Sequence, residues 1–66
     1  MIIYNGEEIK AYKAAQTIVW LYGAQWSTGE LEDFGIDEAA LTKSEEQELI
    51  EQLKKQERRV QGLFGF

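Results

Sequence analysis

Apolar positions cluster most densely over residues 14–26, AAQTIVWLYGAQW, which hold both tryptophans and one tyrosine. Charge stops at Lys13 and does not return until Glu30. A chain this short buries one core, and this run is expected to lie at its centre, with Trp20 as its largest group. Ala11, Ala15, Ile18 and Tyr22 recur at helical spacing and make one face. Ile9, Tyr12 and Val19 make an adjoining face. The alanines would let a second helix approach closely. Residues 18–22 are apolar all round, and such a turn must be covered by its own chain or by something else. Both are expected here. Gly23 is the expected left-handed stop.

The opening, MIIYNGEEIKAY, allows two readings. In one, Asn5-Gly6 is a type I′ turn between residues 2–4 and 7–9. In the other, residues 2–4 are an extended arm and Asn5 caps a helix starting at Gly6 or Glu7. Asn5 and Glu8 have capping-box spacing, and Glu7 and Glu8 would meet the positive end of the helix dipole. The cap reading is favoured, because KAYKAAQ is rich in helix formers and lacks strand alternation.

Ser27-Thr28-Gly29-Glu30 is a second capping-box pattern, opening a short helix LEDF that Gly35 closes. Ile36 and Leu41 are apolar anchors in the connection that follows. Thr42-Lys43-Ser44-Glu45 is a third capping box, and a long amphipathic helix runs from Lys43 to about Gln61, with Gly62 ending it. Leu49, Ile50, Leu53 and Val60 form its narrow apolar stripe, interrupted by Gln56 and Glu57. Its acidic start and basic second half follow the order the macrodipole favours, and Glu51 and Lys55 stand at i, i+4. The expectation is an all-α fold, with an optional short N-terminal strand or hairpin. It is one small helical domain over residues 1–66, ordered long helix, short helix, long amphipathic helix, the last antiparallel to the first.

Composition narrows the function. At 66 residues the chain buries only about 60% of the surface its unfolded form exposes. It has no cysteine or histidine, so no disulfide, no Cys/His zinc site and none of the usual nucleophile–base pairs. No signal peptide is read at the start, and the apolar run is shorter than the roughly 20 residues a membrane span needs. A cytoplasmic protein is expected. Paired carboxylates such as Glu7/Glu8 and Glu45/Glu46 read as solvated dipole partners. Asp33, Asp37 and Glu38 do not fit a calcium-loop spacing. No phosphate-binding glycine loop is present. Neither an enzyme nor a cofactor or metal site is expected.

Net charge is −5 and uneven. Residues 30–51 hold nine acids against one base, and residues 54–59, KKQERR, hold four bases and one acid. The acidity works against nucleic-acid binding in general. Glu32, Asp33, Asp37 and Glu38 have no base within helical reach, so they are expected to face a basic partner with Phe34 as an apolar anchor. Lys54, Lys55, Arg58 and Arg59 form a basic patch. The segment after Gly23 is short, acidic and a poor recognition helix.

The C-terminal hexapeptide, Gln61-Gly62-Leu63-Phe64-Gly65-Phe66, resembles the tails by which polymerases and other factors dock on the sliding clamp of DNA replication. Gln61, Phe64 and Phe66 match the order glutamine, anchor, terminal aromatic, with Phe64 where leucine is more usual. The resemblance implies a docking tail over residues 62–66. The other reading folds Leu63 and Phe64 back on Trp20 or Trp26. Together these features predict a small acidic, non-enzymatic protein that binds a protein with a basic or apolar surface. It would be an adaptor, inhibitor or assembly component, of a kind frequent among phage and mobile-element products, and a homo-oligomer is the expectation for its uncovered apolar girdle. Trp20, Trp26, Phe34, Phe64, Phe66 and the four acids are the expected contacts. The alternative is a small dimeric nucleic-acid-binding regulator using the basic patch.

Overall fold

The computed structural model describes residues 1–63. Asn5 and Gly6 both take positive φ, 48° and 87°. That is the backbone of a type I′ turn, and Asn-Gly adopts it most readily. The turn closes β1 (Ile3–Tyr4) on β2 (Glu7–Glu8), with Ile3 opposite Glu8 and Tyr4 opposite Glu7. The helix-cap reading of Asn5 is thereby overturned: Glu7 and Glu8 are strand residues, and the first helix starts only at Ala11. A lone hairpin is marginal in water, but this one is tied down from outside. The Asn5 amide donates to Gly35 O at 2.9 Å, the Asp37 amide donates to Ile3 O at 2.9 Å, and Tyr4 bridges antiparallel to Ile36.

In α1 (Ala11–Tyr22) the buried residues are Ala11, Ala14, Ala15, Ile18 and Val19, spaced i, i+3, i+4, i+7, i+8. This stripe packs on α2 (Lys43–Leu63), where Leu49 and Leu53 are fully buried. Three of the five buried α1 residues are alanine, whose small size suits close helix packing. Ile2, Trp26, Leu31, Phe34 and Ile36 complete the core. Gly23 ends α1 at φ 61° and donates its amide to Val19 O, although its ψ of −133° lies outside the left-handed helical region.

The two helices pack side by side across the core. Ile9 near the start of α1 bonds to Ile2, and the Met1 amino group reaches Glu45 at the start of α2. Farther along, Gln16 and Trp20 share a depression with Gln56, Arg59 and Val60. Residues 23–42 connect the two helices through short 3₁₀ turns at Gly23–Thr28, Leu31–Phe34 and Glu38–Ala40. The LEDF segment is therefore a 3₁₀ turn, closed by Gly35 as expected, at φ 101°. Ser27 does not cap it. The Ser27 and Thr28 hydroxyls donate back to Ala24 O (3.0 Å) and Gln25 O (2.7 Å), and the Asp33 carboxylate accepts the Glu30 amide at 3.0 Å.

The third capping box forms as read. The Glu45 amide donates to Thr42 Oγ1 at 3.2 Å, and the Thr42 amide donates to Glu45 Oε1 at 3.0 Å. The Met1 ammonium donates to the same Oε1 at 2.6 Å and to Ala40 O at 2.8 Å. The ammonium and the Thr42 amide hold the Glu45 carboxyl below the usual glutamate range, against a smaller opposing effect of burial. A carboxyl whose pKa falls on folding stabilises the fold above its unfolded pKa. That contribution disappears as pH falls through the lowered folded value. The melting temperature should therefore fall as pH is taken below the ordinary glutamate range, and a Glu45→Gln chain should show a flatter decline there; equal slopes for the two proteins would refute the role of this cap.

Two further expectations change. Gly62 does not stop α2, which continues to Leu63, so Lys54, Lys55, Arg58 and Arg59 lie inside the helix and its last turn carries no base. Trp20 is not the centre of the core: it is 77% exposed, and its neighbour Leu21 is 61% exposed. At about 100° per residue, positions 20 and 21 fall away from the stripe through Ala11, Ala14, Ala15 and Ile18. The other tryptophan, Trp26, is buried, with no hydrogen-bond partner for Nε1 among the described residues. Phe64 and Phe66 lie outside the described residues, so the expected docking tail is described only through the helical backbone of Gly62 and Leu63.

Candidate functional site

Shifting the buried α1 spacing by two residues gives Lys13, Gln16, Thr17, Trp20 and Leu21. These line a shallow depression of about 330 Å³ on the outer face of α1. The shift corresponds to roughly 200° around the helix, which places this stripe opposite the core. The Thr17 hydroxyl donates to Lys13 O at 3.0 Å, so its polar atom is satisfied within the helix. A second depression of about 200 Å³ lies on the α2 side of Trp20, lined by Gln16, Trp20, Gln56, Arg59 and Val60. Trp20 thus lines both, with Lys13 in one and Arg59 in the other. Among the described residues, no carboxylate lines either depression.

Among the described residues, those expected to meet a partner fall into three groups. Trp20 stands on the surface. Trp26 and Phe34 are in the core, where Phe34 packs edge-to-face on Tyr22 with ring centroids 5.0 Å apart. Both support the fold, and the small exposed edge of Trp26 lines a depression with Glu46, Ile50 and Lys54. Glu32, Asp33, Asp37 and Glu38 are all exposed, but three of them have local work. Asp33 accepts the Glu30 amide, Asp37 Oδ1 accepts the Ala39 amide at 3.1 Å, and Glu38 Oε1 accepts the Glu32 amide at 3.3 Å. Tight 3₁₀ turns leave amides without helical partners, and these carboxylates supply the acceptors. Acidity in this stretch is therefore largely accounted for by the backbone.

Sequence reasoning missed Lys13, Leu21 and Arg59 as neighbours of Trp20. The spacing from Lys13 through Trp20 and Leu21 carries the signal for the first two. Arg59 reaches Trp20 only through the packing of α2 on α1, which no local pattern encodes. A separate depression of about 360 Å³ gathers Glu30, Glu38, Glu46 and Lys54 near Trp26. Among the described residues no cluster of three or more acids is arranged to hold a metal ion, and no helix is long and apolar enough to cross a membrane.

What fold and surface define is a small, mostly helical protein with an N-terminal hairpin and an exposed Trp20–Leu21 pair on its first helix. No protein family, curated protein or solved structure matches the chain.

Proposed function

We propose that this is a cytoplasmic, non-enzymatic binding protein, an adaptor, inhibitor or assembly component, that contacts a protein partner through the outer face of α1 around Trp20. One observation carries the reading: a tryptophan 77% exposed beside a leucine 61% exposed, in a chain that buries its other tryptophan. Tryptophan is enriched among residues that dominate protein interfaces, and adjoining apolar exposure marks interaction sites. The bonded state of Asp33, Asp37 and Glu38 weakens the case for a basic partner and leaves the apolar contact as the stronger one.

The test starts from a partner captured from lysate with the wild-type chain. Trp20→Ala should weaken its binding at least about 30-fold, the effect of losing a hot spot. Unchanged affinity in a folded variant would dispose of the reading. A second reading, nucleic-acid binding through α2, is favoured by one fact: Lys54, Lys55, Arg58 and Arg59 are exposed and lie too far from the helix end to complement its dipole. It requires oligonucleotide binding that weakens steeply as salt rises.

A further inference from the structure

Resting on that binding reading, we infer that the segment seated against Trp20 is an acidic amphipathic stretch of polypeptide: an aliphatic or aromatic anchor with carboxylates beside it. The chain carries twelve acids and seven bases. Evenly mixed, they would place carboxylates around any exposed side chain. Around Trp20 the reverse holds, because the charged residues lining its two depressions are Lys13 and Arg59. The acids gather elsewhere, with Glu30, Glu38 and Glu46 lining other depressions. Among the described residues the one ion pair joins Met1 to Glu45, so neither Lys13 nor Arg59 is neutralised there.

Charge complementarity decides among the occupants. A basic segment would bring like charges against Lys13 and Arg59. A wholly apolar one would desolvate both cations with nothing in return. Carboxylates give Lys13 a counter-charge and give the Arg59 guanidinium a bidentate partner. Leu21 and the indole of Trp20 supply the apolar seat. A nucleic-acid strand fits less well: it adds a charge every ~3.4 Å against a body of net charge −5, and Leu21 offers its phosphates nothing. Along α1, Lys13 and Leu21 are about 12 Å apart at 1.5 Å per residue. A matching carboxylate and anchor therefore stand about two turns apart on a partner helix, or about four residues apart in an extended strand.

The experiment selects peptides from a random phage-displayed library on the immobilised full chain. Enriched sequences are synthesised with a fluorophore. Their affinities are measured by anisotropy for the wild type and for Trp20→Ala, Lys13→Glu and Arg59→Glu, each checked for helix content by circular dichroism. The expected peptides carry Asp or Glu at the stated spacing from an apolar anchor. Their binding should fall at least about tenfold with either charge reversal and also with Trp20→Ala. Neutral or basic peptides that still need Trp20 would overturn the acidic inference and leave the binding face standing. Peptides indifferent to Trp20, or no enrichment over a blank surface, would overturn both. Trp20-dependent binding of a short oligothymidylate would reassign the face to nucleic acid. Trp20-dependent dimerisation in sedimentation, without peptide binding, would reassign it to a second copy.

Discussion

Leu53→Ala should cost about 3–5 kcal/mol of folding stability, while Trp20→Ala should cost under about 1 kcal/mol. The order reverses what side-chain size alone implies. Leu53 is fully buried in the core, and three of the five buried residues that α1 brings to that core are alanine. Alanines have no longer side chain to swing into the space a truncated leucine leaves, so the cavity persists and its full cost is felt. Trp20, at 77% exposure, gives up little buried area when cut back. A 66-residue domain holds only about 3–10 kcal/mol in total, from roughly 0.05–0.15 kcal/mol per residue. Leu53→Ala therefore removes a large share of it. Ile18→Val, at another fully buried position of the same core, gives a graded version at about 0.5–1.5 kcal/mol. Urea denaturation of the three variants reads the order directly; a Trp20→Ala loss as large as that of Leu53→Ala would mean that the indole packs against the fold.

The legible parts of the sequence were those fixed by local geometry. The spacing of Ala11, Ala15 and Ile18 and of Leu49 and Leu53 marks real core faces. Gly23, Gly35 and the Thr42–Glu45 box set boundaries where they were read, because a positive φ or a reciprocal cap is decided within a few residues. Asn5-Gly6 was different. The same dipeptide satisfies a helix cap and a type I′ turn. The choice is made by Gly35, Ile36 and Asp37, thirty residues on, which bond to the hairpin and give it a third line of support. Trp20 failed for another reason: hydrophobicity says what a side chain prefers, whereas its angle around the helix says what it reaches. The site inherits this split, since Lys13 and Leu21 follow from α1 periodicity while Arg59 arrives only through tertiary packing.

Gly35→Ala should be among the most damaging single-methyl additions in the chain, at about 2–4 kcal/mol from left-handed strain plus a steric clash. Gly35 has φ 101°, where an L side chain is strained whatever the space around it. Its added Cβ would also lie 2.8 Å from Asn5 Oδ1 and 3.0 Å from Tyr4 Cε2. Tyr4 is held by its bridge to Ile36, and the Asn5 amide is bonded to Gly35 O. The exposed Asn5 side chain can swing aside, so the lasting burden falls on the left-handed backbone and on the Tyr4 ring that stands against it. Gly6 supplies the control. It too has positive φ, 87°, but a Cβ there meets nothing within 4 Å, so Gly6→Ala should cost only the conformational part, about 1–2 kcal/mol. Hydrogen exchange should separate the two: Gly35→Ala exposes the Asn5 and Asp37 amides, and Gly6→Ala leaves both protected. Adding Asn5→Gly to Gly35→Ala removes the nearer clashing atom and keeps a residue suited to positive φ. The pair should then be less damaging than the sum of its parts. Additive losses, or equal costs at Gly6 and Gly35, would show that the close approach of connecting segment and hairpin does not hold the N-terminal turn in place.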